Sequence, residues 1–280
     1  MAITSSSAGL LGDTPARDYA HKLQLFNSFA ERELRQLIEG LELRPAMRVL
    51  DAGCGTGEAL SWLRDAVAPR GAVVGIDLAT AHVRVARRHE SPQVQVLQGD
   101  ILNTPLPPAS FDLVWCVNTI NHLRDPVAGV KSLATLLRPG GRVALGQSAL
   151  LPEMFFAWDS GLERAVSDAL RRYYLDRYHI GDQDLNSVRA VLGLLRSAGL
   201  RNTVVRTIVI ERFAPVDAAS RDYLVEAIFR GTWGDRLLPY LSADNYAKLR
   251  CLCDPQGSGF AVTRPDFHFL QSFTLTVGEA

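Results

Sequence analysis

Five short apolar runs, rich in β-branched residues, recur along the first half of this 280-residue chain. They occupy Arg48–Ala52, Ala72–Leu78, Val94–Ile101 and Phe111–Asn118, with the fifth inside Leu137–Leu145. Their apolar character is continuous rather than alternating, which predicts strands covered on both faces; helical or loop sequence separates each from the next. That is the pattern of a parallel sheet in an α/β fold. Glu58–Val67 reads as a helix, and Leu137–Leu145 as a helix end, a Pro-Gly-Gly turn and then a strand. Ahead of the first strand, Leu23, Phe26, Ala30, Leu34, Leu37 and Leu41 fall at steps of three or four, so Arg17–Leu41 reads as one or two amphipathic helices. Further on, a helix is predicted over Asn186–Ala198, stopped by Gly199, and two hairpin strands over Thr203–Phe213 and Phe267–Val277. Leu102–Ser110 is a Pro-rich loop, and no internal repeat is visible.

The junction after the first run carries the clearest chemistry. Arg48-Val-Leu-Asp-Ala-Gly-Cys-Gly-Thr-Gly57 leads an apolar strand into three alternating glycines, with Asp51 just before them. Without Cβ atoms, Gly53, Gly55 and Gly57 let a ligand approach the backbone, and free N–H groups at the start of the next helix face the same spot. The spacing excludes two common nucleotide turns. A dinucleotide fingerprint counted from Gly53 or Gly55 requires glycine where Glu58 or Leu60 stands. A P-loop requires a lysine after its last glycine, and this stretch has none. Asp51 suits a ligand with a cationic or amine-bearing end.

Two further strand ends repeat the acid. Asp77 closes the second run, 20 residues beyond Gly57, where a carboxylate can accept both hydroxyls of a ribose. Asp100 closes the third, and Asn118 ends the fourth, followed by Thr-Ile-Asn-His122. Taken in order, these motifs resemble the class I S-adenosylmethionine-dependent methyltransferases, of the small-molecule type similar to the quinone-biosynthesis methyltransferases. The resemblance is strong over residues 45–150 and weaker over Asp184–Arg212 and Phe267–Val277. It implies a Rossmann-like seven-stranded methyltransferase sheet, mostly parallel with a C-terminal antiparallel hairpin, plus helical cap inserts. It implies S-adenosyl-L-methionine as cofactor, with Asp51, Gly53, Cys54, Gly55 and Gly57 at its methionine end. Asp77 would bind the ribose with Leu78 packing on the adenine, Asp100 the adenine amino group with Ile101 beside it, and Asn118 would border the sulfonium. In that family the segment before the first strand lies over the cofactor as a lid, so Tyr19 or Lys22 would reach the cofactor carboxylate.

Composition narrows the partners. The chain holds 30 basic and 30 acidic residues, which gives no electrostatic case for nucleic acid or an anionic membrane. No apolar stretch approaches the roughly 18 residues that would span a bilayer. The start, Met-Ala-Ile-Thr-Ser-Ser-Ser, has neither the basic region nor the apolar core of a signal peptide and reads as a floppy tail. Cys54, Cys116, Cys251 and Cys253 read as free thiols of a reducing, cytoplasmic setting, and Cys251-Leu-Cys253 has no second ligand pair nearby to complete a zinc site. The metal-dependent catechol enzymes of the family place Asp-Asn ligands after the fourth strand. Only Asn118 stands there, so no metal is predicted. The family's DNA-amino, RNA-cytosine and protein-arginine acceptor motifs are also absent.

These readings divide the chain into a tail and helical lid (1–44), a cofactor-binding core (45–150), a first cap insert (151–185), a core helix and strand (186–214), a second cap insert (215–266) and a final strand (267–280). Both inserts read as helical. They hold about half of the chain's aromatics, among them Phe155, Phe156, Trp158, Tyr173, Tyr174, Tyr178, Phe229, Trp233, Tyr240 and Tyr246, enough both to staple a cap and to line a pocket for a flat or apolar substrate. The expected activity is in-line methyl transfer to the oxygen, carbon or nitrogen of a small, largely apolar or aromatic metabolite. Nothing in the sequence forces or forbids a homodimer. His122, just past the fourth strand, is the candidate general base, with His179 second; His21, His82, His89 and His268 read as surface or packing residues. Two alternatives remain. One is a member of this fold that binds the cofactor for a regulatory role or a non-methyl reaction; the other is aminopropyl transfer, disfavoured by inserts that are not rich in acids.

Overall fold

The computed structural model describes residues 14–148, 154–156, 158–180 and 187–280. The five apolar runs form parallel strands β1 (Arg48–Ala52), β2 (Ala72–Asp77), β3 (Val94–Gln98), β4 (Phe111–Val117) and β5 (Leu137–Ser148). Two long strands follow, β7 (Arg201–Phe213) and β8 (His268–Glu279), with β8 antiparallel to both β5 and β7. The order is β3-β2-β1-β4-β5-β8-β7, and a three-residue strand, β6 (Met154–Phe156), lies beyond the end of β5 along the same edge of β8. β1 and β4 are neighbours from which the chain winds outward in opposite directions, and such a switch point opens a crevice at the carboxyl ends of the strands.

Helices cover both faces because the strands are apolar on both. α1 (Ala20–Glu39), α2 (Glu58–Val67) and α3 (Thr80–Ala86) pack on one face through Leu34, Leu60, Leu63 and Val83. α4 (Pro126–Thr135) and α6 (Ser187–Ser197) pack on the other through Val130, Leu133, Val191 and Leu195. The segment before β1 is a single helix. Leu137–Leu145 differs from its sequence reading: α4 has already ended, Leu137 pairs with Phe111, and the ladder resumes at Arg142 opposite Leu113. Pro139-Gly140-Gly141 is thus an irregularity within a strand rather than a turn ahead of one, with Gly140 at φ +75°.

The second half of the chain supplies the cap. α5 (Ser160–Tyr178) belongs to the first insert. The second insert contains α7 (Ala218–Asp222), a π-helical segment Tyr223–Trp233, a 3₁₀ stretch Gly234–Tyr240 and α8 (Ala243–Cys253). Phe156 stacks on Trp158 with ring centres 4.3 Å apart, Phe229 on Trp233 at 5.5 Å, and Phe156 meets Phe269 of β8 at 4.9 Å. Phe156 also meets Trp233 at 5.4 Å, so the aromatics fasten the two inserts to each other and to the sheet. Residues 1–13, 149–153, 157 and 181–186 lie outside the described residues, as do the N-terminal tail reading and the Phe155 side chain.

Candidate active site

The switch-point crevice is a cleft beneath the N-terminal half of α1. Its floor comes from the strand ends: Asp51, Gly53, Cys54 and Gly55 after β1, Asp77 and Leu78 after β2, Asp100 and Ile101 after β3, and Asn118, Thr119 and His122 after β4. Tyr19, Leu23, Phe26 and Asn27 close it from above. Of the predicted site residues, Gly57, Lys22 and His179 are not on this wall, and the others are. Gly57 sets the start of α2 instead, in the left-handed region at φ +91°, where a Cβ would come within 3.0 Å of Ala86 and His89.

The glycines differ from the sequence reading in what their bareness admits. A Cβ on Gly53 would sit 2.2 Å from Thr119 Oγ1, and one on Gly55 would sit 2.9 Å from Leu23 of α1. Both residues are also left-handed, at φ +80° and +53°. The bare turn thus accepts a side chain from the β4 loop and one from α1, an economy that sequence spacing does not show. Thr119 Oγ1 completes the fit by donating to the Val117 carbonyl at 3.0 Å.

Three carboxylates meet here in different states. Asp77 is well satisfied: Oδ2 accepts from Gly55 N at 2.9 Å, and Oδ1 from Ala79 N at 2.9 Å, with His82 Nδ1 3.2 Å away. Glu58, first residue of α2, accepts from Asn27 Nδ2 at 2.8 Å and Thr56 Oγ1 at 2.6 Å, which ties α1 to the glycine turn. Asp51 is the exception. It is 3 % exposed, and its Oδ2 has no hydrogen-bond partner among the described residues. Burial, then the nearby Asp77 and Glu58 charges, push its pKa up to about 8. A buried acceptor without a donor costs stability unless a ligand supplies one. Burial, Asp51 and Asp77 also push the Cys54 thiol well up, which removes it as a nucleophile.

The β4 end is fixed by its own polar network. Asn118 stands at φ +52°, a conformation asparagine tolerates, and its Oδ1 accepts from Ser148 N at 2.8 Å, Ser148 Oγ at 2.9 Å and Gln147 Nε2 at 3.2 Å. With its oxygen so engaged, the amide nitrogen is the end left to donate. Ser148 and Gln147 gave no signal in the sequence because they act across the β4–β5 pair. His122 ends a 3₁₀ turn, Ile120–His122, and lies nearly parallel to the Tyr19 ring with centres 6.3 Å apart. His179 is far less enclosed, at the left-handed C-cap of α5. Lys22 donates to Thr232 Oγ1 of the cap at 3.0 Å and is not part of the cleft wall. Among the described residues, the aromatic side chains on the cleft wall besides His122 are Tyr19, Phe26, Trp62 and Trp115, none of them from an insert.

A doubly covered sheet with a bare first turn and an acid at each of three adjacent strand ends defines an adenosyl-cofactor-binding enzyme of the Rossmann-like class. Comparisons agree. Residues 50–145 match the methyltransferase domain family. The nocamycin O-methyltransferase of Saccharothrix syringae is 31% identical over 218 residues, 74% of this chain and 75% of that protein. The 27-O-demethylrifamycin SV methyltransferase of Amycolatopsis mediterranei is 37% identical over 117 residues, 40% of this chain and 42% of that one. A solved S-adenosylmethionine-dependent methyltransferase of Aquifex aeolicus superposes with a TM-score of 0.51 at 21% identity, covering 69% of this chain and 93% of its own. The chain belongs to the S-adenosylmethionine-dependent methyltransferase family. It spans less than half the length of the first curated relatives it matches.

The residues present fit that family's cofactor. Asp51 offers an unpartnered buried oxygen to a cationic group, Asp77 Oδ2 keeps a lone pair for a hydroxyl, and Asp100 faces the same cleft with Leu78 and Ile101 as apolar walls. Among the described residues no group of three or more His, Cys, Asp or Glu side chains is placed to share a metal ion, and no helix is long and apolar enough to cross a membrane.

Proposed function

We propose that this chain transfers a methyl group from S-adenosyl-L-methionine to a small, largely apolar or aromatic metabolite. The observation that carries the reading is the buried Asp51 oxygen left unpartnered on the wall of a cleft otherwise built from lid, glycine turn and strand ends. The cofactor supplies a methyl group on an activated sulfonium. The protein's part is to bind, orient and keep water out, and positioning of this kind supplies roughly 7–11 kcal/mol of a barrier. Asp51 and the turn from Gly53 to Gly55 hold the amino-acid end, Asp77 the ribose, and Asp100 with Leu78 and Ile101 the base. Asn118 presents its amide nitrogen beside the reacting region, and Tyr19, Leu23 and Phe26 exclude solvent from above. The relatives named O-methyltransferases favour oxygen as the acceptor atom. The apolar and aromatic walls, Phe26, Trp62, Trp115, Val117 and Leu123, favour an apolar metabolite.

To His122, on the same cleft wall, this reading assigns the acceptor's proton. His122→Ala is expected to lower kcat about 10²–10⁴-fold on a hydroxyl acceptor, while the cofactor KM stays near the parent value. Release of S-adenosylhomocysteine with the true acceptor measures both, and a near-native kcat would remove His122 from this role. The proposed activity itself is tested by incubating protein, labelled cofactor and candidate metabolite extracts, then looking by mass spectrometry for products heavier by one methyl.

A further inference from the structure

The residue that sequence reading placed among packing histidines lies directly behind the cleft wall, against Asp77 and Tyr19. His82, on α3, is 2 % exposed. Its Nδ1 lies 3.2 Å from Asp77 Oδ1, and the Tyr19 backbone N–H donates to its Nε2 at 3.4 Å. A ring nitrogen that accepts carries no proton, so this geometry assigns the neutral imidazole with its hydrogen on Nδ1, donating to Asp77. The Tyr19 ring meets the imidazole edge-on, with centres 4.5 Å apart. A second tie lies two residues earlier: Thr80 N, at the start of α3, donates to the Pro15 carbonyl at 3.0 Å. Residues 14–19 are thus a strap stitched to α3 at two points, and Thr14, Arg17 and Tyr19 of that strap form part of the cleft wall.

We propose that His82 is a positioning residue that fastens this strap to the carboxylate receiving the cofactor, so that seating the cofactor and closing the strap are one event. This rests on the reading of Asp77 as the ribose acceptor. The hydrogen-bond count gives the coupling its direction. Asp77 Oδ1 already accepts from Ala79 N and His82, which fills its two lone pairs, whereas Oδ2 accepts only from Gly55 N. His82 therefore fixes which oxygen turns to the ligand. The same ring holds the first backbone amide of the strap. An apolar side chain of similar size would fill the space and do neither.

Two variants of the full chain separate the two contacts. His82→Asn keeps a donor near the Nδ1 position and gives up the acceptor for Tyr19. His82→Gln reaches Tyr19 N–H and gives up Asp77. Hydrogen exchange at the Tyr19 amide, with and without S-adenosylhomocysteine, reads the strap, and calorimetry with the same ligand reads the seat. In the parent, the ligand is expected to slow Tyr19 exchange about tenfold or more. His82→Asn should lose that ligand-dependent protection, and His82→Gln should keep the amide protected while its affinity falls about tenfold. Protection in His82→Asn equal to the parent, or unchanged affinity in His82→Gln, overturns the proposal; should one variant fail to fold, the other decides. A parent that takes up no S-adenosylhomocysteine overturns the cofactor reading itself, whereas a parent that binds while both variants behave like it overturns only the role of His82.

Discussion

Raising the pH from about 5 to 9 is expected to weaken the ligand-free protein while tightening its hold on S-adenosylmethionine, with Asp51 responsible for both trends. The pKa of Asp51 in the fold is about 8, raised from the ordinary 3.8 by burial first and by Asp77 and Glu58 after it. Below pH 4 the group is protonated in the folded and unfolded chain alike. Between about pH 4 and 8 the fold retains a proton that the unfolded chain has released, so stability falls as pH rises, and above 8 the loss is complete. At about 1.4 kcal/mol per tenfold, the full effect is on the order of 5 kcal/mol. A cationic ligand beside the carboxylate reverses the balance, because it favours the charged form. Binding at pH 7 should then release about one proton, seen as a dependence of the calorimetric heat on the ionisation enthalpy of the buffer. Asp51→Asn should gain stability at pH 9, bind the cofactor more weakly and release no proton. Equal heats in all buffers for the parent would show that Asp51 does not face the ligand's charge.

Arg212→Met is expected to cost about 3–5 kcal/mol in a urea melt, far more than an exposed ion pair would. Glu33 of α1 is 4 % exposed, and Arg212 of β7 donates from Nη1 at 2.9 Å and from Nη2 at 3.1 Å to its two oxygens. The same guanidinium donates from Nε to Ser220 Oγ of α7 at 3.0 Å, donates to the Phe29 carbonyl, and lies 4.7 Å from the centre of the Phe29 ring. One side chain thus joins α1, the sheet and α7 of the second insert. Burial alone would raise the Glu33 pKa, but hydrogen bonds from Arg212 and Arg32 outweigh it and hold it below the ordinary value. Removing Arg212 leaves that carboxylate buried with only the largely solvent-exposed Arg32 as partner. Adding Glu33→Gln should restore part of the loss, since the uncompensated charge then goes. A loss under about 1 kcal/mol for Arg212→Met would mean that α1 is held by its apolar face alone.

What the sequence made legible follows the range of the interactions involved. The parallel strands, α2 from Glu58 to Val67 and the closing hairpin were readable because each is written in local periodicity and in turns such as Gly199. The strand-end acids were readable too, since a carboxylate after an apolar run has little reason to be there unless something binds it. The rest depends on partners distant in sequence. His82 looked like a packing residue because its partners are Asp77 and a backbone amide 63 positions away. Lys22, one of two residues the sequence allowed to reach the cofactor, meets Thr232, 210 positions on. The insert aromatics are as dense as pocket linings usually are, but only the packed structure shows that Phe156, Trp158, Phe229 and Trp233 face one another. The π-helical course of Tyr223–Trp233, whose residues are mostly buried, is likewise not written in any local repeat of the sequence.

Calorimetric titration of the purified chain with S-adenosylhomocysteine, beside its Asp77→Ala variant, reaches the centre of the account. Saturable binding with a Kd on the order of 1–100 μM in the parent, weakened by about 100-fold or more in a variant that still melts cooperatively, is the predicted result. A parent that takes up no ligand, or a variant that binds as tightly as the parent, would contradict it.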